Sequence, residues 1–194
     1  MPWTAVYRLI SRQAQDIDPR VLLQNEICAQ SGIDLRESSE GVFHAGFPGE
    51  GTALVRFLST TPLTEGWRTK RILKREISNG KPLSASNWLA MYLEMATRII
   101  EVSTSEGTDA ARNASGILRT SLRTSFGGLW QIEGEGFTNE AGAFILLSNP
   151  NGISGKRLVA TLREDVWVEY TLDANNPTYL RRFADGVPPR TGNK

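Results

Sequence analysis

Residues 84–102, SASNWLAMYLEMATRIIEV, constrain the fold more than any other stretch. On a helical wheel Trp88, Leu89, Met91, Tyr92, Leu93, Met95, Ala96, Ile99, Ile100 and Val102 cover roughly 200°, about twice the stripe of a surface helix. A segment that apolar must be covered on more than one side. The spacing predicts a central helix, with Ser84 or Ser86 as its cap. Residues 108–128, TDAARNASGILRTSLRTSFGG, read as a second helix capped by Thr108 or Asp109 and stopped by Gly127–Gly128. Joined by the short STSEG loop, the two predict an antiparallel helical hairpin over about 84–126.

The flanks carry a different period. AVYRLIS at 5–11 is rich in β-branched and aromatic residues and predicts a strand. DIDPRVLLQNEICAQSG follows as a helix, with Asp18 as N-cap, Pro19 in the first turn, Cys28 as a small core residue and Gly32 marking the end. GVFHAGF and TALVRFLST read as two further strands joined by the turn PGEG. After residue 128 come LWQIEGEG, GAFILLS, KRLVATLRE and VWVEYTL, punctuated by NPNG, RED and DANNP. The expected class is α+β: an N-terminal βαββ unit, the central helical hairpin and a C-terminal antiparallel β-meander with one wet face. A single domain over 1–186 is expected, with a possible sub-boundary near 127 and a flexible tail at 187–194.

Composition narrows the function. Formal net charge is +1, so nucleic-acid binding by this chain has to be local. Cys28 is the only cysteine and His44 the only histidine, which rules out an internal disulfide and a cysteine- or histidine-rich metal site within one chain. No run approaches the ~18 apolar residues of a membrane helix, and the N-terminus lacks a secretory core. A cytoplasmic setting without membrane contact is expected.

Within this neutral chain WRTKRILKREISNGK, residues 67–81, gathers bases around one acid, Glu76. At 100° per residue Lys70, Arg71, Lys74 and Arg75 share one broad arc, opposite Ile72, Leu73 and Ile77. Arg68 adjoins them, and Trp67 is placed to stack a base. A second basic face is formed by Arg112, Arg119 and Arg123, within about 40° of each other on their helix, with Arg98 nearby on the partner helix. Arginine's planar fork suits phosphate, which points to the backbone of RNA or DNA. The plainer readings are the solvated side of amphipathic helices, or contacts to acidic groups of neighbouring subunits.

Catalytic signals are thin. His44 alternates with Phe43 and Ala45 as a strand residue does, and no nucleophile elbow accompanies it. Glu133 and Glu135 are expected to share a strand face, an acid–base or metal pair lacking a third ligand. GFPGEG and NGISGKR lack the frame of a phosphate loop and read as hairpin turns. No cofactor is implied.

DPRVLLQNEIC, TRIIEV and SFGGLW resemble, in that order, short phrases of rod-shaped plant virus coat proteins. The spacing differs, and the β-rich stretch after 128 has no counterpart in them. The resemblance implies RNA held by arginines near an inner helix pair, with Arg98 and Arg112 at those positions. The resulting expectation is a non-catalytic subunit of a larger assembly that contacts nucleic-acid backbone and other protein subunits, like or unlike. The alternatives are a purely structural virus or phage particle component, and a small hydrolase-type enzyme using His44 or Glu133 and Glu135.

Overall fold

The apolar stretch at 84–102 is divided in two. In the computed structural model, which describes residues 5–13, 18–28, 32–48, 50–104, 108–150 and 153–188, a helix ends at Glu94 and a strand runs from Arg98 to Thr104. That division corrects the single helix expected there. Ile99, Ile100, Glu101 and Val102 are all buried, as in a strand covered on both faces. Their run widened the apolar arc of the wheel without belonging to the helix.

The α+β class is as expected. The elements are β1 (Ala5–Ser11), α1 (Pro19–Leu22, continued in π geometry over Leu23–Cys28), β2 (Asp34–Ser39), β3 (Val42–Gly46) and β4 (Thr52–Ser59). The helical pair in the middle of the chain is α2 (Glu65–Ser78) with α3 (Leu83–Glu94). It replaces the 84–126 hairpin. Then come β5 (Arg98–Thr104), α4 (Asp109–Phe126), β6 (Leu129–Ile132), β7 (Gly136–Thr138), β8 (Phe144–Leu147), β9 (Lys156–Arg163), β10 (Val166–Asp173) and α5 (Pro177–Ala184). Asp18 caps α1 as expected, its carboxylate accepting from Arg20 N at 2.9 Å. The Cys28 side chain lies outside the described residues, as does the expected tail beyond Pro188.

The chain forms two compact units, one from residues 1–68 and 96–128, the other from 69–95 and 129–194. In the first, the strands lie in the order β2-β3-β4-β5-β1, all antiparallel. The βαββ start is present and gains β2, a strand exposed at five of six positions, which no apolar alternation announces. Helix α4 packs across β1, β3, β4 and β5. Its buried side is Ala111, Ala114, Ser115, Leu118, Leu122 and Phe126, and Thr108 caps it by accepting from Ala111 N at 3.2 Å. Phe126 meets Phe57 edge-on at 6.1 Å and Phe57 meets Phe43 at 6.0 Å, pairs that add about 0.5–1.5 kcal/mol each beyond area burial.

A buried carboxylate ties three strands of this unit. Glu101 on β5 accepts from Arg8 Nε on β1 at 2.9 Å and from Arg56 Nε on β4 at 3.1 Å. Arg56 also reaches Glu65 at 2.6 Å. Burial alone would lower the Arg56 pKa, but Glu101 and Glu65 outweigh it and raise the value.

In the second unit the order is β6-β7-β8-β9-β10, antiparallel except for β8 with β9. Residues 153–155 therefore lead into a strand parallel to β8, where a hairpin turn was expected; 151–152 lie outside the described residues. The meander also gains β7, a short strand that was not read, and Glu164 and Asp165, both at positive φ, make the β9–β10 turn. Helix α5 was not foreseen. Asn176 caps it by accepting from Thr178 N at 3.0 Å, and Pro177 opens it. Trp88 of α3 stacks on Tyr92 and meets Trp167 of β10 edge-on, each at 5.2 Å.

Two substitutions test this architecture. Glu101→Ala leaves two half-buried arginines facing each other and should cost roughly 3–5 kcal/mol of unfolding free energy in urea titration. Gly128, at φ +111°, has room for no side chain, because a Cβ would lie 2.3 Å from Ile10 O. Gly128→Ala should lower the thermal midpoint by several degrees, through strain of about 1–3 kcal/mol.

Candidate nucleic-acid interface

Helix α2 turns two apolar residues inward, Leu73 and Ile77, each 1% exposed. Glu76 turns with them, accepting from Ser148 Oγ and from Gln131 Nε2, the latter at 3.3 Å. That placement sends Arg68, Arg71 and Arg75 outward, all exposed, within about 60° of one another at 100° per residue.

The five-base face expected from the sequence is thereby split. Lys70 and Lys74 sit round the helix toward α3. Lys70 Nζ donates to Glu94 O at 2.8 Å, and Lys74 pairs with the Glu94 carboxylate. The hydrogen bond and charge of Lys74 hold Glu94 below the usual carboxylate range. Trp67 is half-buried, and the apolar Ile72, expected among the inward residues, is 59% exposed.

The second basic group lies on α4 in the first unit. Arg112, Arg119 and Arg123 occupy one flank of the helix, beside its buried side. Arg112 pairs with Asp109 one turn earlier. The Arg119 guanidinium lies 3.9 Å from the centroid of the Tyr7 ring, and its Nε donates to Ser115 O at 3.4 Å. Arg123 is half-exposed in the last turn. Arg98 does not join them from a partner helix, since it stands on strand β5, with its guanidinium 5.2 Å from the Phe126 ring. The helix-pair placement implied by the coat-protein resemblance is not made at Arg98.

The catalytic candidates are scattered. His44 lies on β3 between Arg36 of β2 and Leu54 of β4. It lines an open depression of about 680 Å³ with Asp34, Arg36, Glu37, Glu50 and Thr52 among its walls. Glu133 and Glu135 do not share a strand face. They occupy the turn between β6 and β7, where Glu135 N donates to Ile132 O at 3.0 Å. Among the described residues no group of three or more His, Cys, Asp or Glu is placed to hold a metal ion, and no helix is long and apolar enough to cross a membrane.

No protein-family model matches the chain, and neither curated proteins nor solved structures give a match.

The Lys74–Glu94 pair gives a direct check on the α2–α3 packing. Glu94 is depressed in the folded chain, so its small contribution to stability is present above the unfolded carboxylate pKa. That contribution fades as pH falls through the lower folded value. Lys74→Met should move the Glu94 titration upward in a carboxyl-carbon NMR experiment. An unmoved Glu94 would contradict the packing.

Proposed function

We propose that the chain is a non-catalytic subunit of a larger assembly, and that it contacts nucleic-acid backbone through α2 and α4. The observation that carries this reading is the outward arc of Arg68, Arg71 and Arg75. Three guanidinium groups on successive turns repeat at a spacing a phosphodiester chain can follow, and the planar guanidinium matches phosphate geometry. The α4 flank adds Arg112 and Arg123, with Arg119 held more tightly on Tyr7. Contacts of this kind position a backbone without reading bases, so RNA and DNA of any sequence are candidate ligands.

A second reading has its own support. Ile72 of α2, Met91 of α3 and Met95 at the α3 C-cap are 59%, 68% and 52% exposed, an unusual display of apolar surface on a helical pair. In a purely structural particle component, these residues and the arginines would meet an apolar and acidic surface of another subunit.

The two readings part under salt titration. Binding of a fluorescent single-stranded oligonucleotide should weaken steeply with salt. Replacing Arg68, Arg71 and Arg75 together by Gln should reduce the slope of log K against log salt by about 2, at ~0.7 per phosphate contact on single strands. An unchanged slope would remove α2 from the interface. Light scattering with absorbance at 260 and 280 nm should show large species rich in nucleic acid. Large species free of it would favour the structural reading.

A further inference from the structure

Away from both helix faces, one side of the β9–β10 hairpin collects positive charge that no carboxylate answers. Register places Arg157, Val159, Thr161 and Arg163 of β9 opposite Leu172, Tyr170, Val168 and Val166 of β10. Opposed residues of an antiparallel pair share a face, so two arginines, a threonine and a tyrosine lie together on it. Phe183 of α5 joins Val159 and Leu172 in the core on this side, with Tyr170 and Leu180 packed against it. Between strand and helix Tyr170, Thr171, Leu172, Tyr179, Arg182 and Val187 line a cavity of about 180 Å³.

The polar groups here are poorly satisfied from within the chain. Among the described residues no carboxylate lies within ion-pair distance of Arg157, Arg163 or Arg182. Arg182 donates one hydrogen bond, to Pro188 O at 2.8 Å, which leaves the rest of its fork available. Arg157 Nε is buried with no hydrogen-bond partner among the described residues, and the buried Tyr170 Oη and Thr161 Oγ1 have at most each other, a state that folded chains otherwise avoid. Asp185, at the end of α5, is exposed, and the acids of the hairpin point elsewhere. Glu169 and Asp173 alternate to the opposite face, where Glu169 accepts from Asn139 Nδ2 at 2.8 Å and Asp173 from Asn175 N at 3.0 Å. Glu164 and Asp165 form the exposed turn. Burial pushes the Tyr170 phenol up to about 12, against the opposing influence of Thr161, Arg182 and Arg163, so its hydroxyl keeps its proton and stays a donor.

We propose that this cavity binds a small organic carboxylate, held by Arg182 and the Tyr170 hydroxyl, with its apolar body against Leu172, Tyr179 and Val187. Arg157 and Arg163 supply the surrounding positive field. An apolar cavity of ~150 Å³ accommodates benzene, so the space here suits a single ring or a short branched chain. The aliphatic and aromatic walls favour such a body over a bare inorganic anion. The site shares no residue with the α2 and α4 faces and stands independently of the nucleic-acid reading.

The test is calorimetric titration of the full chain with sodium benzoate, benzamide and inorganic phosphate. Benzoate should bind saturably, about tenfold or more tighter than its neutral isostere benzamide and than phosphate. Arg182→Met and Tyr170→Phe should each weaken benzoate about tenfold and leave benzamide nearly unchanged. Tyr170→Phe keeps the ring in the core, so its result stands even where Arg182→Met fails to fold. Replacing Arg68, Arg71 and Arg75 by Gln should leave benzoate affinity as it was. No saturable benzoate binding, equal affinity for benzoate and benzamide, phosphate binding as tightly as benzoate, or wild-type affinity in Tyr170→Phe would each overturn the proposal.

Discussion

Glu76 decides which side of α2 meets water. It is the one acid in the basic stretch 67–81, and it faces inward, held by Gln131 of β6 and by Ser148 just past β8. A half-buried carboxylate with two donors is costly to rotate into another setting, because its partners would be left unmet. With Leu73 and Ile77 it fixes the helix about its own axis. The outward arc of arginines and the inward lean of Lys70 and Lys74 both follow. Charge in this region is therefore sorted into an arginine side that faces water and a lysine side that meets α3, by one inward carboxylate and its two donors.

The first unit solves a similar problem with charged donors in place of neutral ones. There the buried acid is Glu101, and two arginines from neighbouring strands reach it. Burying an ion pair gains little by itself, but it penalises any register in which the partners miss each other. Glu101 gives β1, β5 and β4 one register in which both Arg8 and Arg56 are satisfied.

Much of this was legible in the chain. The strands at 5–11, 42–46 and 52–59, the caps at Asp18 and Thr108, and the Gly127–Gly128 stop all announce themselves through local chemistry. What failed did so for identifiable reasons. Ile99, Ile100 and Val102 form a strand covered on both sides, and such a run carries no alternation to separate it from an apolar helix. β2 failed in the other direction, since DLRESS is an edge strand with nearly all its side chains in water. Asn176–Pro177 was a readable helix start, but the preceding turn residues masked it. The arginine arc on α2 was visible by period alone. The split between Arg68, Arg71 and Arg75 on one side and Lys70 and Lys74 on the other was not, because Glu94 answers the lysines from another helix. The carboxylate cavity was equally hidden, since it needs β9, β10 and α5 assembled before Tyr170 and Arg182 share a space.

The interleaving of the two units bears on how the chain is made. The first unit has all of its strands and its long helix once residue 128 has emerged, but residues 69–95 are by then already inside it as an insertion. Their partners lie beyond 128, and at ~5–20 residues per second those take several seconds more to be synthesised. For that interval Leu73, Ile77, Leu89 and Leu93, all buried in the finished protein, have no sheet to lie on. A nascent chain whose first unit closed at that point would carry an uncovered apolar helix pair until the rest of the second unit followed. That is the stage at which ribosome-associated chaperones would matter most to its yield.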